Sequence, residues 1–229
     1  MKRWVIAGLL AAAMPLAVAG AQDWNMTYET TERGHRVGNP EADVSLIQFV
    51  SYTCPHCASF EVQSEAALRL HYIHQGLATV EVRSVIRNPV DLAASLVAEC
   101  GDPEDYFGNH RALMMSHPRW MEKARSATEG QMRRWSAGSV ASRMRAIGDD
   151  LDFHELMEPR GLSRVQVDQC LADEAKALSI AEAAEADNAE FDIPGTPSFA
   201  VNGTLVPGVH TWSALKQVLD DPSSLETGG

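Results

Sequence analysis

Phe49-Val50-Ser51-Tyr52-Thr53-Cys54-Pro55-His56-Cys57-Ala58-Ser59-Phe60-Glu61 is the stretch on which the reading of this 229-residue chain turns. An apolar run ends at Val50, two cysteines follow with two residues between them, and a helix-like pattern begins at Pro55. A C-x-x-C motif therefore stands where a strand hands over to a helix. The first N–H groups of such a helix have no partner within it, and the positive end of the helix dipole lies there too. Both favour a thiolate at Cys54, so its pKa is expected to fall and its reactivity to rise. His56, between the cysteines, adds a donor, or a positive charge when protonated. Pro55 takes the first helical position, where its missing N–H costs nothing.

Three chemistries suit such a pair. A redox-active dithiol fits the strand–helix context. Half of a zinc site needs further ligands, and no second C-x-x-C or close histidine pair completes a set of four. A structural disulfide across so short a loop confers less entropic stabilisation than one across a long loop. The redox dithiol is the reading carried forward.

Upstream of the motif, Val44 to Val50 is apolar except for Ser45 and Gln48, as a central strand buried on both faces should be. Asp23 to Pro40 is polar and is expected to be an irregular lead-in. Downstream, Pro55 to about Gln75 reads as a helix stopped by Gly76, and Thr79 to Ile86 as a second strand, giving a parallel, right-handed β-α-β unit. Asp91 to Asn188 is helical in pattern. The expected helices are Leu92 to Cys100, one capped by Asp102 and broken by Pro118, one or two between Trp120 and Gly148 with weak points at Gly130 and Gly138, and one alanine-rich helix from Ser163 to Asn188. Glu158-Pro159-Arg160-Gly161 reads as a turn. Strands return at Ser198–Val201 and Thr204–Val206 around Asn202-Gly203, a strong hairpin signal. A last helix opens at Thr211 or Ser213. The expected class is α/β: a mixed sheet flanked by helices, with an inserted all-helical subdomain. The divisions are residues 22–90 for a lead-in and first half, 91–188 for the insert, and 189–229 for a second β-β-α half and tail.

The first 21 residues read as a secretory signal peptide. Lys2 and Arg3 form a positive start, Val5 to Leu16 a short apolar core, and Ala17-Val18-Ala19 and Ala19-Gly20-Ala21 offer cleavage sites. Export would place the four cysteines in an oxidising compartment, the periplasm. Loss of Lys2 and Arg3 would take the formal charge from −12 to −14. A chain so acidic is a poor nucleic-acid binder, and its charge favours solubility, with a monomer expected. Eight basic residues between Arg111 and Arg145 face only Glu122 and Glu129, which reads as solvated helix faces or as a patch for an acidic partner.

Pro194-Gly195-Thr196-Pro197-Ser198-Phe199 precedes the hairpin. A proline at the head of a paired strand is unusual and suggests a set backbone feature, such as a cis Thr196–Pro197 bond. Taken together, Cys54-Pro55-His56-Cys57 with Phe60-Glu61 behind it, Gly195-Thr196-Pro197-Ser198-Phe199, and the helical insert resemble the DsbA family of exported thiol–disulfide oxidoreductases, within the thioredoxin superfamily. The resemblance covers roughly Gly38 to Asp220. It implies that Cys54 is the exposed nucleophile and Cys57 the buried resolving cysteine. It further implies that His56 stabilises the thiolate, that Pro197 is cis and faces the disulfide, and that Thr196 offers its backbone to an extended client. It implies an enzyme that introduces disulfides into reduced, unfolded clients and is reoxidised by a membrane quinone-linked partner. No bound cofactor or metal is needed, because the cysteines carry the electrons.

Two positions depart from the pattern. Gln48 stands six residues before Cys54, where many relatives have a buried acid. Gln cannot accept a proton as a carboxylate does, which leaves that role to Glu61 or water. Thr196 before the proline also occurs in isomerase-type relatives, where the best-known oxidase type has Val. The alternatives are therefore a reductase or isomerase, a chaperone-like client-binding module, and, more remotely, a metal-binding dithiol protein. Only about seventeen residues separate the second cleavage site from Gly38, which argues against the N-terminal dimerisation domain of isomerase-type relatives.

Cys100 and Cys170 both fall in the helical insert. With Cys54 and Cys57 taken as the redox pair, they are expected to form a structural disulfide, as some relatives have. Two buried thiols or a second redox relay are the alternatives. His71 and His74, three residues apart, are expected at the solvated surface. Met114, Met115, Met121, Met132 and Met144 are expected in the core, with one or two lining an apolar groove.

Overall fold

The structure, a computed structural model, describes residues 22–225. The expected signal peptide and the last four residues lie outside them. The described residues form one six-stranded sheet and ten α-helices.

The sheet is built around β3 (Val44–Val50), of which only Ser45 is not fully buried. Leu46 and Val50 point to one face, and Ile47 and Phe49 to the other, where they meet Ala200 and Phe191. This explains why the strand reads as almost continuously apolar. It pairs in parallel with β4 (Ala78–Ser84) and antiparallel with β5 (Ser198–Val201), which turns back through Asn202 and Gly203 into β6 (Thr204–Leu205). Both turn residues have positive φ, +50° and +80°, as a two-residue hairpin loop requires.

The lead-in differs from expectation. Beyond a 3-10 turn at Trp24–Met26 it forms β1 (Tyr28–Thr30) and β2 (His35–Gly38), and β2 pairs antiparallel with β4. The sheet order is β1-β2-β4-β3-β5-β6. These strands hide from a hydrophobic reading because they are short and carry ion pairs rather than apolar side chains: Arg36 bonds both Glu29 on β1 and Glu81 on β4. Gly34 lets the turn close on β4, since a Cβ there would stand 2.2 Å from the Val82 carbonyl oxygen.

Helix α1 (Pro55–Ala67) widens into π-helical turns over Leu68–Ile73 before stopping at Gly76, whose φ is +71°. Between β4 and β5 lie α2 (Pro89–Ala98), α3 (Tyr106–Met115), α4 (His117–Arg125), α5 (Glu129–Ser136), α6 (Val140–Asp150), α7 (Phe153–Met157), α8 (Arg164–Leu171) and α9 (Glu174–Phe191). The single helix expected from Ser163 to Asn188 is two. Asp173 leaves the helical conformation, and its carboxylate accepts from the Lys176 N–H at 2.9 Å as the N-cap of α9. Pro118 lies in the first turn of α4 rather than simply ending α3. The 3-10 turn Pro103–Asp105 intervenes before α3, with the Asp105 carboxylate accepting from the Asp102 N–H. Gly138, at φ +93°, separates α5 from α6, while Gly130 is tolerated inside α5. Thr211 caps α10 (Trp212–Asp220).

Cys100 and Cys170 are joined, with an S–S distance of 2.10 Å. The bond ties the end of α2 to α8. The helical core of Leu113, Met114, Trp120, Met144, Ile147, Leu151 and Phe153 runs without a break to Val50, Cys54 and Cys57. Of the five methionines, Met114 and Met144 are buried, Met121 is partly so, and Met115 and Met132 are exposed.

Candidate active site

Cys54 is the N-cap of α1, extended at φ −87° and ψ 117°, and Pro55 follows at the first helical position. Cys54 and Cys57 are both free thiols here. The Thr196–Pro197 bond is cis, and the Thr196 carbonyl accepts a hydrogen bond from Cys54 Sγ at 3.1 Å. The two stretches, 142 residues apart in sequence, thus meet at one sulphur.

Their environments push the two thiols in opposite directions. Cys54 is lowered from 9.0 to about 4. The largest cause is the Cys57 thiol, which donates to the Cys54 thiolate; the main-chain N–H groups of Cys57 and His56 add to it, against the cost of burial. The Thr196 hydroxyl makes no full hydrogen bond, yet it faces both sulphurs and favours their charged forms. Cys57 is raised well above its ordinary value, chiefly because it is buried, and further because it holds the proton that stabilises its neighbour.

Two expectations need correction. Cys54 is not exposed: only 3 % of its surface is accessible. It belongs to the core shared with the helical insert, and the cis-proline loop closes over its sulphur. His56 is exposed, and its stabilising contribution to Cys54 comes from its main-chain N–H.

The loop before Cys54 is held from behind by residues that a linear reading does not single out. Fully buried Asp91 accepts from Ser51 Oγ at 2.8 Å and from the Thr53 N–H at 2.9 Å through one oxygen. Its other oxygen accepts from the Arg87 N–H and Asn88 Nδ2, both at 3.1 Å. Asn88 in turn caps α2. The Asn88-Pro89 start of that helix is the one local signal for this support. His117, at the head of α4, is 3 % exposed and packs edge-on against Trp120 at 5.2 Å. Burial pushes its pKa down, helped by Arg125, while the Thr53 main chain and the nearby Cys54 oppose the shift.

Gln48 and Glu61 are both buried and line one cavity of about 80 Å³ together with His110. Gln48 is on β3, Glu61 on α1 and His110 on α3. His71 and His74 are exposed and hold different partners, Gln75 and Asp23. Among the described residues, the one cluster spaced to hold a cation is Asp149, His154 and Asp168, in the helical insert. There the imidazole lies between the two carboxylates and Arg164 also engages Asp149, an arrangement of ion pairs. Of the eight basic residues between Arg111 and Arg145, Arg111, Lys123, Arg133 and Arg134 have carboxylate partners within the chain.

The geometry is that of a dithiol pair with one stabilised thiolate beside a cis-proline loop. A family model described as Thioredoxin matches residues 30–221. A crystal structure of a protein-disulfide isomerase from Novosphingobium aromaticivorans is 39 % identical, with a TM-score of 0.78, over 82 % of this chain and 97 % of that one. The structure of Wolbachia pipientis alpha-DsbA1 shares the fold, with a TM-score of 0.64 at 19 % identity over 81 % of this chain and 88 % of that one. A Rickettsia conorii protein named as a protein-disulfide oxidoreductase is 26 % identical over 78 % of this chain, which spans 56 % of that relative's length. The chain belongs to the thioredoxin family.

Proposed function

We propose that the chain is an exported oxidase that introduces disulfides into reduced, unfolded client proteins in the periplasm. A client thiolate attacks Cys54 Sγ of the Cys54–Cys57 disulfide. The S–S bond breaks, its electron pair stays on Cys57, and Cys57 takes up a proton. A second client thiolate attacks the client sulphur of the mixed disulfide and releases Cys54 as a thiolate. The client leaves with a disulfide, and the protein keeps two electrons. A membrane quinone-linked partner removes them, and no bound cofactor takes part. Thr196, ahead of the cis proline, offers main-chain groups to an extended client strand.

The observation that carries this reading is the Cys54 pKa of about 4. A disulfide is oxidising when its reduced form is stabilised, and a buried thiolate held by one thiol and two main-chain N–H groups is such a form. Among the described residues no helix is long and apolar enough to cross a membrane.

A second reading, isomerase or reductase, is favoured by Thr196 and by the isomerase name that the Novosphingobium relative carries. The reduction potential of Cys54–Cys57 in glutathione buffers separates the two. A value near about −120 mV is expected for an oxidase, and one near about −270 mV would overturn that direction in favour of a reductase. Cys54→Ser abolishes exchange under either reading but would leave a pure client-binding module intact.

A further inference from the structure

Side chains bond three successive carbonyls of the cis-proline loop. The Gly195 carbonyl accepts from Ser198 Oγ at 2.8 Å, the Thr196 carbonyl from Cys54 Sγ at 3.1 Å, and the Pro197 carbonyl from His210 Nδ1 at 2.8 Å. A carbonyl oxygen only accepts, so Nδ1 carries the proton in the last of these bonds. The first bond lies within the loop, and the second belongs to the reacting sulphur. His210 alone of the three donors comes from a distant segment and takes no part in the chemistry.

The sheet explains why a side chain is needed there. Along a strand, the carbonyls of alternate residues point to the same edge. On the β6 side of β5, the Phe199 carbonyl accepts from the Val206 N–H at 2.8 Å. The Pro197 carbonyl is the next in that row. β6 ends at Leu205, and the chain turns away through Pro207 and Gly208, whose φ is +72°. The His210 imidazole supplies the donor that a longer strand would have given. Its place is set by α10: Thr211, the next residue, caps that helix, and the Trp212 ring packs against Phe60 and Tyr72 at 6.3 and 6.1 Å. The outer side of the loop is open. Pro194 and Gly195 are exposed, and a Cβ at Gly195 would meet nothing within 4 Å.

We propose that His210 is a positioning residue for client binding, which through the Pro197 carbonyl fixes the Thr196 peptide group in the orientation that an extended client pairs with. This role presupposes the client-strand part given above to Thr196, and it names the side chain that keeps that group in place while its partner changes. In the reduced protein the Thr196 carbonyl is held by the Cys54 thiol. In the disulfide, and again in the mixed disulfide with a client, Cys54 has no S–H to donate. The carbonyl is then open to a client main-chain N–H. The His210 bond involves neither sulphur and persists through all three states. The loop is therefore already ordered when the oxidised protein meets its client, and less ordering is left to be done on binding.

The test compares oxidation of a synthetic two-cysteine peptide with oxidation of cysteamine, a thiol that has no peptide group to pair. Wild type, His210→Leu, His210→Phe and His210→Asn are each checked for native circular dichroism and an intact Cys54–Cys57 bond. Asn places its Nδ2 close to where Nδ1 stands and can make the same bond. His210→Leu is expected to raise the KM for the peptide roughly 3- to 12-fold, the worth of one hydrogen bond. Its kcat should stay within about twofold of wild type, as for a loss of uniform binding. Its rate with cysteamine should stay near wild type, and His210→Asn should recover most of the peptide KM. An unchanged KM in His210→Leu overturns the proposal. So does an equal loss with cysteamine, or no recovery in His210→Asn, either of which marks a general loosening of the site. If His210→Leu fails to fold, His210→Phe is judged by the same criteria. If wild type does not oxidise the peptide, the oxidase reading fails instead. The same KM comparison is then made for reduction of the disulfide form of the peptide by reduced protein, which passes through the same mixed disulfide and decides on His210 by itself.

Discussion

Cys54 gathers several small effects onto one sulphur, and they have a consequence for stability that is separate from catalysis. Its thiol ionises at about 4 in the folded, reduced protein and near 9.0 in the unfolded chain. Between those values the unfolded chain binds one more proton than the folded one, so the stability of the reduced form rises with pH, by about 1.4 kcal/mol per unit. The contribution is fully present above pH 9.0 and is lost as the pH falls toward about 4. Cys57 is raised rather than lowered, so it is protonated in both states over this window and adds no slope. The oxidised protein has no Cys54 thiol to titrate. Denaturant unfolding of both redox forms from pH 5 to pH 8 should therefore show the reduced form gaining on the oxidised form throughout. A difference that stays flat with pH would mean that Cys54 is not an anion in the folded state. The low pKa does not depend on exposure. The stabilising groups are the Cys57 thiol and main-chain N–H groups fixed by the start of α1, and burial removes the water that would screen them.

Elements differ in how openly the sequence announces them, and the reason is the range of the forces involved. β3, α1 and the β5–β6 hairpin follow from local patterns: a continuous apolar run, a proline at the first helical position, and Asn202-Gly203 at a tight turn. Asp173 divides α8 from α9 by a single side-chain cap inside an alanine-rich run whose propensity is helical throughout. β2 escapes notice because what holds it lies on β4, 45 residues away in the case of the Arg36–Glu81 pair, and β1 is held by its pairing to β2. The site divides in the same way. Its cysteines and cis proline stand in short motifs, whereas Asp91 and His117 reach it through packing of the insert and have no motif of their own. The Cys100–Cys170 bond is the covalent counterpart of that packing, closing a sequence separation of 70 between α2 and α8. Its loss in a Cys100→Ala/Cys170→Ala protein is expected to cost about 2–4 kcal/mol in urea unfolding. Peptide oxidation at Cys54 should stay near the wild-type rate, because the bond lies outside the exchange site. Loss of oxidation in the folded double variant would instead place Cys100 and Cys170 in the electron path.

The sheet and the helical insert act as one body because they share a core and because α9 is bonded to the sheet by buried ions. Asp187 on α9 is 2 % exposed at its side chain and accepts from Arg83 on β4 at 2.8 Å and from Arg33 at 3.0 Å. Arg83 also holds Glu81, which in turn takes Arg36 and the Thr31 hydroxyl, so the network joins α9, β4, β2 and the turn before β2. The two carboxylates respond differently to similar surroundings. Burial wins at Asp187 and raises its pKa, whereas the combined pull of Arg83 and Arg36 overcomes burial at Glu81 and lowers it. What Asp187 supplies is one correctly placed acceptor oxygen, Oδ1, shared by two arginines. Asp187→Asn keeps one acceptor oxygen in place, and a cost of about 1 kcal/mol in unfolding free energy is expected. Asp187→Ala removes that acceptor and leaves partly buried Arg83 with Glu81 alone, for which about 3 kcal/mol is expected. The order of the two variants is the check. Equal losses for Asn and Ala would mean that the full negative charge holds the insert to the sheet, and near-wild-type stability for both would mean that the shared apolar core suffices without the ions.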